Sequence, residues 1–180
     1  ALRRTAVGSI MTRAVTTALL EAGQIAQVFP LVRARLPGID LPRWRRHAST
    51  RVRKVEAEGR PARPSPIRQG IVVAWSERGY ACGLAEFRIH NDLGHGRTLA
   101  VDQVMAIDLL DPAVVVHALV RDLRVIAAEN GCAALHLRAA ANDENAARAL
   151  GAEGFVPDDA LFCLPLTPAA APPPWTRALS

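Results

Sequence analysis

Within residues 80–90 an acid, a base and an imidazole, Glu86, Arg88 and His90, recur at every second position, so in an extended strand they share one face. Asp102 and Asp108 follow on the next extended stretch. A carboxylate or imidazole that faces a cleft from such a strand can take a proton from a bound nucleophile, directly or through water. The competing reading of the same alternation is the solvated face of an antiparallel sheet. His47, His95, His117 and His136 lack the spacing of metal ligands, and no metal site is expected. Cys82, Cys132 and Cys163 are odd in number, far apart and set in apolar runs without a CxxC pair, which reads as reduced, packed thiols.

The elements that must position these groups follow from periodicity and punctuation. Residues 14–20 suit a first strand. Residues 24–36 place Ile25, Val28, Phe29, Val32 and Leu36 on one helical face, with a kink expected at Pro30 and an end at Pro37-Gly38. Asp40 suits the N-cap of a second, basic helix with Pro42 in its first turn; Trp44, Ala48, Val52 and Val55 line its apolar side and Gly59 closes it. A proline-rich loop then leads to three strands, 71–75, 80–90 and 99–108, joined by turns at 76–79 and 94–97 as an antiparallel meander. Asp111 and Pro112 open a further helix in which Val116, Leu119, Val120, Leu123, Ile126 and Ala127 form the core stripe, stopped by Gly131. Residues 131–166 read as a buried strand, a short helix capped by Asn142 or Asp143, a Gly-Phe turn and a closing strand. The crossover helices make the last part of the sheet parallel.

A chain of 180 residues, half of them apolar, can bury one sizeable core and is short for two. The expected layout is a flexible extension at 1–12, one domain at 13–166 and a proline-rich flexible tail at 167–180. No apolar run is long enough to cross a bilayer and the basic start is not followed by a signal-peptide core, so no membrane partner and a cytoplasmic location are expected. The net charge of +5 raises nucleic acid as a partner. Much of it lies between Arg43 and Arg68 as arginine, with Lys54 the only lysine, and aromatic residues for base stacking are scarce. A solvated helix and loop is therefore the preferred reading of that stretch, and nucleic acid is disfavoured.

The segments VVAWSERGYACGLAEFRI, with a turn glycine and a strand glycine at Gly79 and Gly83, and NDENAARALGAEGF, with an Asn-x-x-Ala helix and Gly-Phe turn, occur in an order and spacing that resembles the GNAT (Gcn5-related) N-acetyltransferase superfamily. The likeness covers about residues 13–166. It implies an α+β fold with a mixed, mostly antiparallel central sheet flanked by helices. It also implies acetyl-CoA, or another acyl-CoA, as co-substrate, and transfer of the acyl group to the amine of a small molecule or peptide. In that family, backbone groups near Ala106, Ile107 and Asp108 pair with the pantetheine arm and the start of the central helix, here Ala113, Val114, Val115 and Val116, receives the pyrophosphate. Asn142 or Asn145 would stand for the asparagine of the last helix, whose usual position is Asp143. Glu86, Asp102 and His90 are the candidates to deprotonate the amine, Glu86 foremost.

Two departures from the family pattern matter. The Arg/Gln-x-x-Gly-x-Gly/Ala loop, whose glycines let backbone N–H groups approach phosphate, is replaced by residues 110–116, Leu-Asp-Pro-Ala-Val-Val-Val, without a glycine. Pro112 lacks a donor, the valines crowd the approach, and Asp111 brings a carboxylate to the helix end that an anion would need. The tyrosine that in many relatives protonates the departing thiolate is Leu150. The expected function is thus an acyltransferase, or a descendant with activity weakened or lost. A non-catalytic GNAT-fold binding module and, behind it, a nucleic-acid-associated basic protein are the alternatives, and a homodimer is left open.

Overall fold

The computed structural model describes residues 15–52, 67–107, 112–138, 148 and 150–157. Its centre is a five-stranded sheet in the order β1-β2-β3-β4-β5, formed by Val15–Leu19, Gln69–Ser76, Ala81–Asp92, Gly96–Ala106 and Ala134–Leu137. The first four strands pair antiparallel and β5 joins β4 in parallel, as a crossover helix requires. The fold is therefore the mixed, mostly antiparallel α+β architecture expected. Gly79 makes the β2–β3 turn with φ of 77°, and its N–H donates to Ser76 O at 2.8 Å.

Helices α1 (Ile25–Arg35) and α2 (Leu41–Ser49) cover one face of the sheet. α1 runs through Pro30, which lies on its exposed side, and buries Ile25, Val28, Leu31 and Val32; Leu36, expected on that face, has already left helical geometry. Asp40 caps α2 by accepting from Arg43 N at 2.7 Å, and the buried Trp44 indole donates to Ile25 O at 2.7 Å, fixing α2 on α1. α2 ends at Ser49 rather than at Gly59. There the chain tightens, with Arg51 N and Val52 N both donating to Ala48 O at 2.9 Å and the Thr50 hydroxyl donating back to His47 O. Residues 53–66 lie outside the described part, as do the expected extension at 1–12 and the expected proline-rich tail at 167–180.

The opposite face is covered by α3 (Pro112–Glu129), whose Val115, Leu119, Leu123, Ile126 and Ala127 pack on Val72, Ala74, Ala85, Phe87, Leu99 and Val101. Val115, not Val116, takes the first place in this stripe. Its neighbour explains why: a Cβ on Gly83 would meet Val115 Cγ1 at 2.3 Å, so the missing side chain of Gly83 is what lets α3 lie this close to β3. After β5 the last helical turn ends at Gly154, φ 83°, where Glu153 N and Phe155 N donate to Leu150 O and the Glu153 side chain is held by His117 and Arg124 of α3.

Candidate active site

β4 is longer than the strand beside it. β5 pairs with it only from Thr98↔Ala134 to Val101↔Leu137, closed by Arg138 N donating to Val101 O at 3.2 Å. Residues 103–106 of β4 remain paired to β3 but have no strand on the β5 side among the described residues. An open strand edge of this kind can accept an extended, amide-bearing arm by main-chain hydrogen bonding. Ala106 and Ile107 lie at its end, both half-buried; Asp108 falls outside the described residues.

A bulge marks the place where β5 stops. Glu86 of β3 stands opposite Gln103 and Phe87 opposite Val101, leaving Asp102 as the extra residue of β4. Asp102 is bridged from both sides, by Arg88 Nε at 3.0 Å and by Arg138 Nη1 at 3.5 Å. His90 is exposed near the end of β3.

Glu86 does not lie on a solvated face. It is 7 % exposed, continues the row of Leu84 under α1 and α2, and has both carboxylate oxygens engaged. Oε2 is 2.7 Å from His47 Nε2, and Oε1 accepts from Arg51 Nε. Each oxygen keeps a second lone pair, but with only 10% of the side chain exposed the approach to it from solvent is narrow. Alternation gives Glu86 its face, but it is the competing reading of that face as solvated that fails, because α2 covers it. His47 and Arg51, which alternation along β3 does not reveal, are the residues the fold brings to Glu86. The signal for His47 was present in its spacing, since 44, 47 and 48 share one side of α2 and Trp44 and Ala48 are its buried pair.

At the start of α3, Val115 is fully buried, while Ala113, Val114 and Val116 are half-buried. The Val115 side chain is thus core rather than ligand surface, whereas the backbone of this turn lies next to Pro112, which has no N–H. Asp111, Asn142, Asp143 and Asn145 lie outside the described residues. A pocket of about 250 Å³ opens elsewhere, between the end of β1, the C-terminus of α2 and the start of β2, lined by Leu19, Thr50, Arg51, Arg68, Gln69 and Ile71. It touches the Glu86 cluster through Arg51 and lies on the β1–β2 side of the sheet, away from the β5 side of β4.

Among the described residues no group of three His, Cys, Asp or Glu is placed to hold a metal, and no helix is long and apolar enough to cross a membrane. Cys82 is a buried thiol that donates to Ala74 O at 3.4 Å, and Cys132 is half-buried.

Four antiparallel strands, two helices on one face, and a third helix leading to a parallel fifth strand together make up the fold of the GNAT acetyltransferases. Solved structures bear this out. The aminoglycoside N-acetyltransferase AAC(6')-Iy, determined in complex with CoA, superposes with a TM-score of 0.69 at 10% identity over 88% of this chain and 98% of its own. The 6'-N-acetyltransferase AAC(6')-Ih from Acinetobacter baumannii gives 0.66 at 10% identity, over 86% and 99%. A ribosomal-protein-alanine N-acetyltransferase from Brucella melitensis biovar Abortus 2308 gives 0.64 at 18% identity, over 85% and 99%. No protein-family model matches the sequence, and neither does any curated protein.

Proposed function

We propose that this protein transfers an acyl group from acyl-CoA to the amine of a small molecule or peptide. The observation that carries the proposal is the parting of β4 from β5: residues 102–106 continue past the last β5 pair with one edge open among the described residues. That edge fits the amides of a pantetheine arm, for which Ala106 and Ile107, with Asp108 after them, would supply the backbone partners. Acyl-CoA contributes the acyl group as a thioester, a co-substrate consumed at each turnover. The pyrophosphate would lie at the start of α3, against the backbone of Ala113, Val114, Val115 and Val116. Asn142 or Asn145 would contribute from the last helix.

The start of α3 also supports a second reading, a non-catalytic binding module. Pro112 removes a donor and the Val115 side chain is locked into the core, so the turn cannot reshape itself as a glycine loop does. Calorimetric titration with acetyl-CoA separates the two. Micromolar affinity, followed by thiol release in the presence of a panel of small and peptidyl amines, is the expected result. Absence of binding at millimolar acetyl-CoA overturns the acyltransferase reading in favour of the binding module.

A further inference from the structure

We infer that His47 is the residue that takes the proton from the incoming amine, and that Glu86 is its positioning partner. The assignment rests on the acyl-transfer reading above and deepens it. Glu86 is nearly buried with both oxygens occupied, so it is poorly placed to receive a substrate proton itself. It is well placed to hold an imidazole. Its Oε2 lies 2.7 Å from His47 Nε2, which in the neutral ring makes Nε2–H the donor and leaves the lone pair on Nδ1. No partner of Nδ1 occurs among the described residues, and 38% of the His47 side chain is exposed, so the ring is reachable from solvent.

Three further features fix the ring. Arg51, just past the C-terminus of α2, holds the other Glu86 oxygen and so sets the rotation of the carboxylate. Trp44, three residues earlier, stacks on the imidazole with centroids 6.1 Å apart and planes inclined by 28°. Trp44 is in turn tied to α1 through Ile25 O, so the imidazole rides on a rigid part of the domain. The charged groups in contact with it are Glu86 from β3 and, through that carboxylate, Arg51.

Position on the sheet agrees with the role. Glu86 stands opposite Gln103, inside the part of β4 that runs on past β5. The strand that carries the anchoring carboxylate is therefore the immediate neighbour of β4, whose far edge is the one proposed for the thioester arm. A carboxylate-oriented imidazole whose outer nitrogen is bare and accessible is the arrangement that serves general-base catalysis on unrelated folds. In the step, His47 Nδ1 takes one amine proton as the N–C bond to the acyl carbon forms and the C–S bond breaks with its electron pair on sulfur. His47 then returns the proton, through solvent, to the departing thiolate, and the products are an amide and a thiol.

The first test needs no activity. In ¹⁵N-labelled protein without CoA, two-bond imidazole spectra, with His47 assigned by its loss in His47→Gln, are expected to show the neutral ring protonated on Nε2 and bare on Nδ1. A ring protonated on Nδ1 overturns the assignment. The second test uses an amine that the wild-type protein acetylates. His47→Ala is expected to lower kcat by about 100-fold or more, the scale of a lost general base, with part of the loss restored by added imidazole. Glu86→Gln is expected to lower kcat with KM unchanged and to raise the share of the Nδ1–H tautomer. Full turnover in folded His47→Ala, or a loss that imidazole does not relieve, overturns the role of His47 and leaves acyl transfer standing. Acetyl-CoA that binds without transfer to any amine overturns both readings.

Discussion

The two faces of the sheet are built from the same strands but differ in kind. Under α3, Val72, Ala74, Ala85, Phe87, Leu99 and Val101 meet Val115, Leu119, Leu123, Ile126 and Ala127 in a wholly apolar layer, close enough that Gly83 has no room for a side chain. Under α1 and α2 the row Ile71, Val73, Leu84 and Met105 is equally buried, but it is continued by Glu86, which recruits His47 and Arg51. An apolar layer gains from every added contact. A buried carboxylate repays its desolvation only through specific partners, so its presence on the strand next to β4 is better explained by chemistry than by stability. Stability should accordingly be concentrated on the α3 face.

The largest effect is expected from Phe87→Ala, which empties one of the largest buried sites of the α3 face and should cost about 4 kcal/mol in urea unfolding. Gly83→Ala should cost about 2 kcal/mol, because its Cβ would lie 2.3 Å from Val115 Cγ1; combining it with Val115→Ala should recover part of that loss, a coupling that a double-mutant cycle measures directly. Glu86→Gln should cost only about 1 kcal/mol at neutral pH, since His47 and Arg51 are each about a third exposed and can turn to water. A cost as large as that of Phe87→Ala would break the comparison and make the polar cluster structural. The smallest effect concerns pH. The N–H groups of His95 and Gly94 hold the Asp92 carboxyl below its usual range at the β3–β4 turn. Its contribution is therefore present above the unfolded value of about 3.9 and is lost as pH falls through the lower folded one. Asp92→Asn should flatten the stability profile in that acidic window and leave it unchanged near neutrality.

Much of this architecture is legible locally. Asp40, Gly79, Pro112 and Gly131 announce caps and turns because each acts within a few residues, and the meander and the α3 stripe follow from alternation and helical period. What is not legible depends on contacts distant in sequence. Alternation assigns Glu86 to a face but cannot say that α2 lies over it, and the His47–Glu86 bond joins residues 39 positions apart. The choice of Val115 over Val116 turns on the absence of a side chain at Gly83, and the early end of α2 on hydrogen bonds made by Thr50, Arg51 and Val52. The bulge at Asp102 breaks the strict alternation that sequence reasoning assumes. The edge of β4 left unpaired among the described residues follows from the shortness of β5, a difference between two strands that neither shows alone.

The order in which the sheet closes has a kinetic consequence. β3 and β4 meet across a tight turn from Asp92 to Gly96 and can zip from it, whereas β1 reaches β2 only after α1, α2 and the intervening loop have folded back to bring Leu19 to Val72. Loop closure of that length is entropically costly and delays the contact that completes it. β1 is an edge strand held by one neighbour, while β3 is flanked on both sides. Native-state hydrogen exchange should therefore be slowest in β3 and fastest in β1. The last strand to arrive is the first to open, which leaves the proton-handling cluster on β3 anchored in the most persistent part of the molecule.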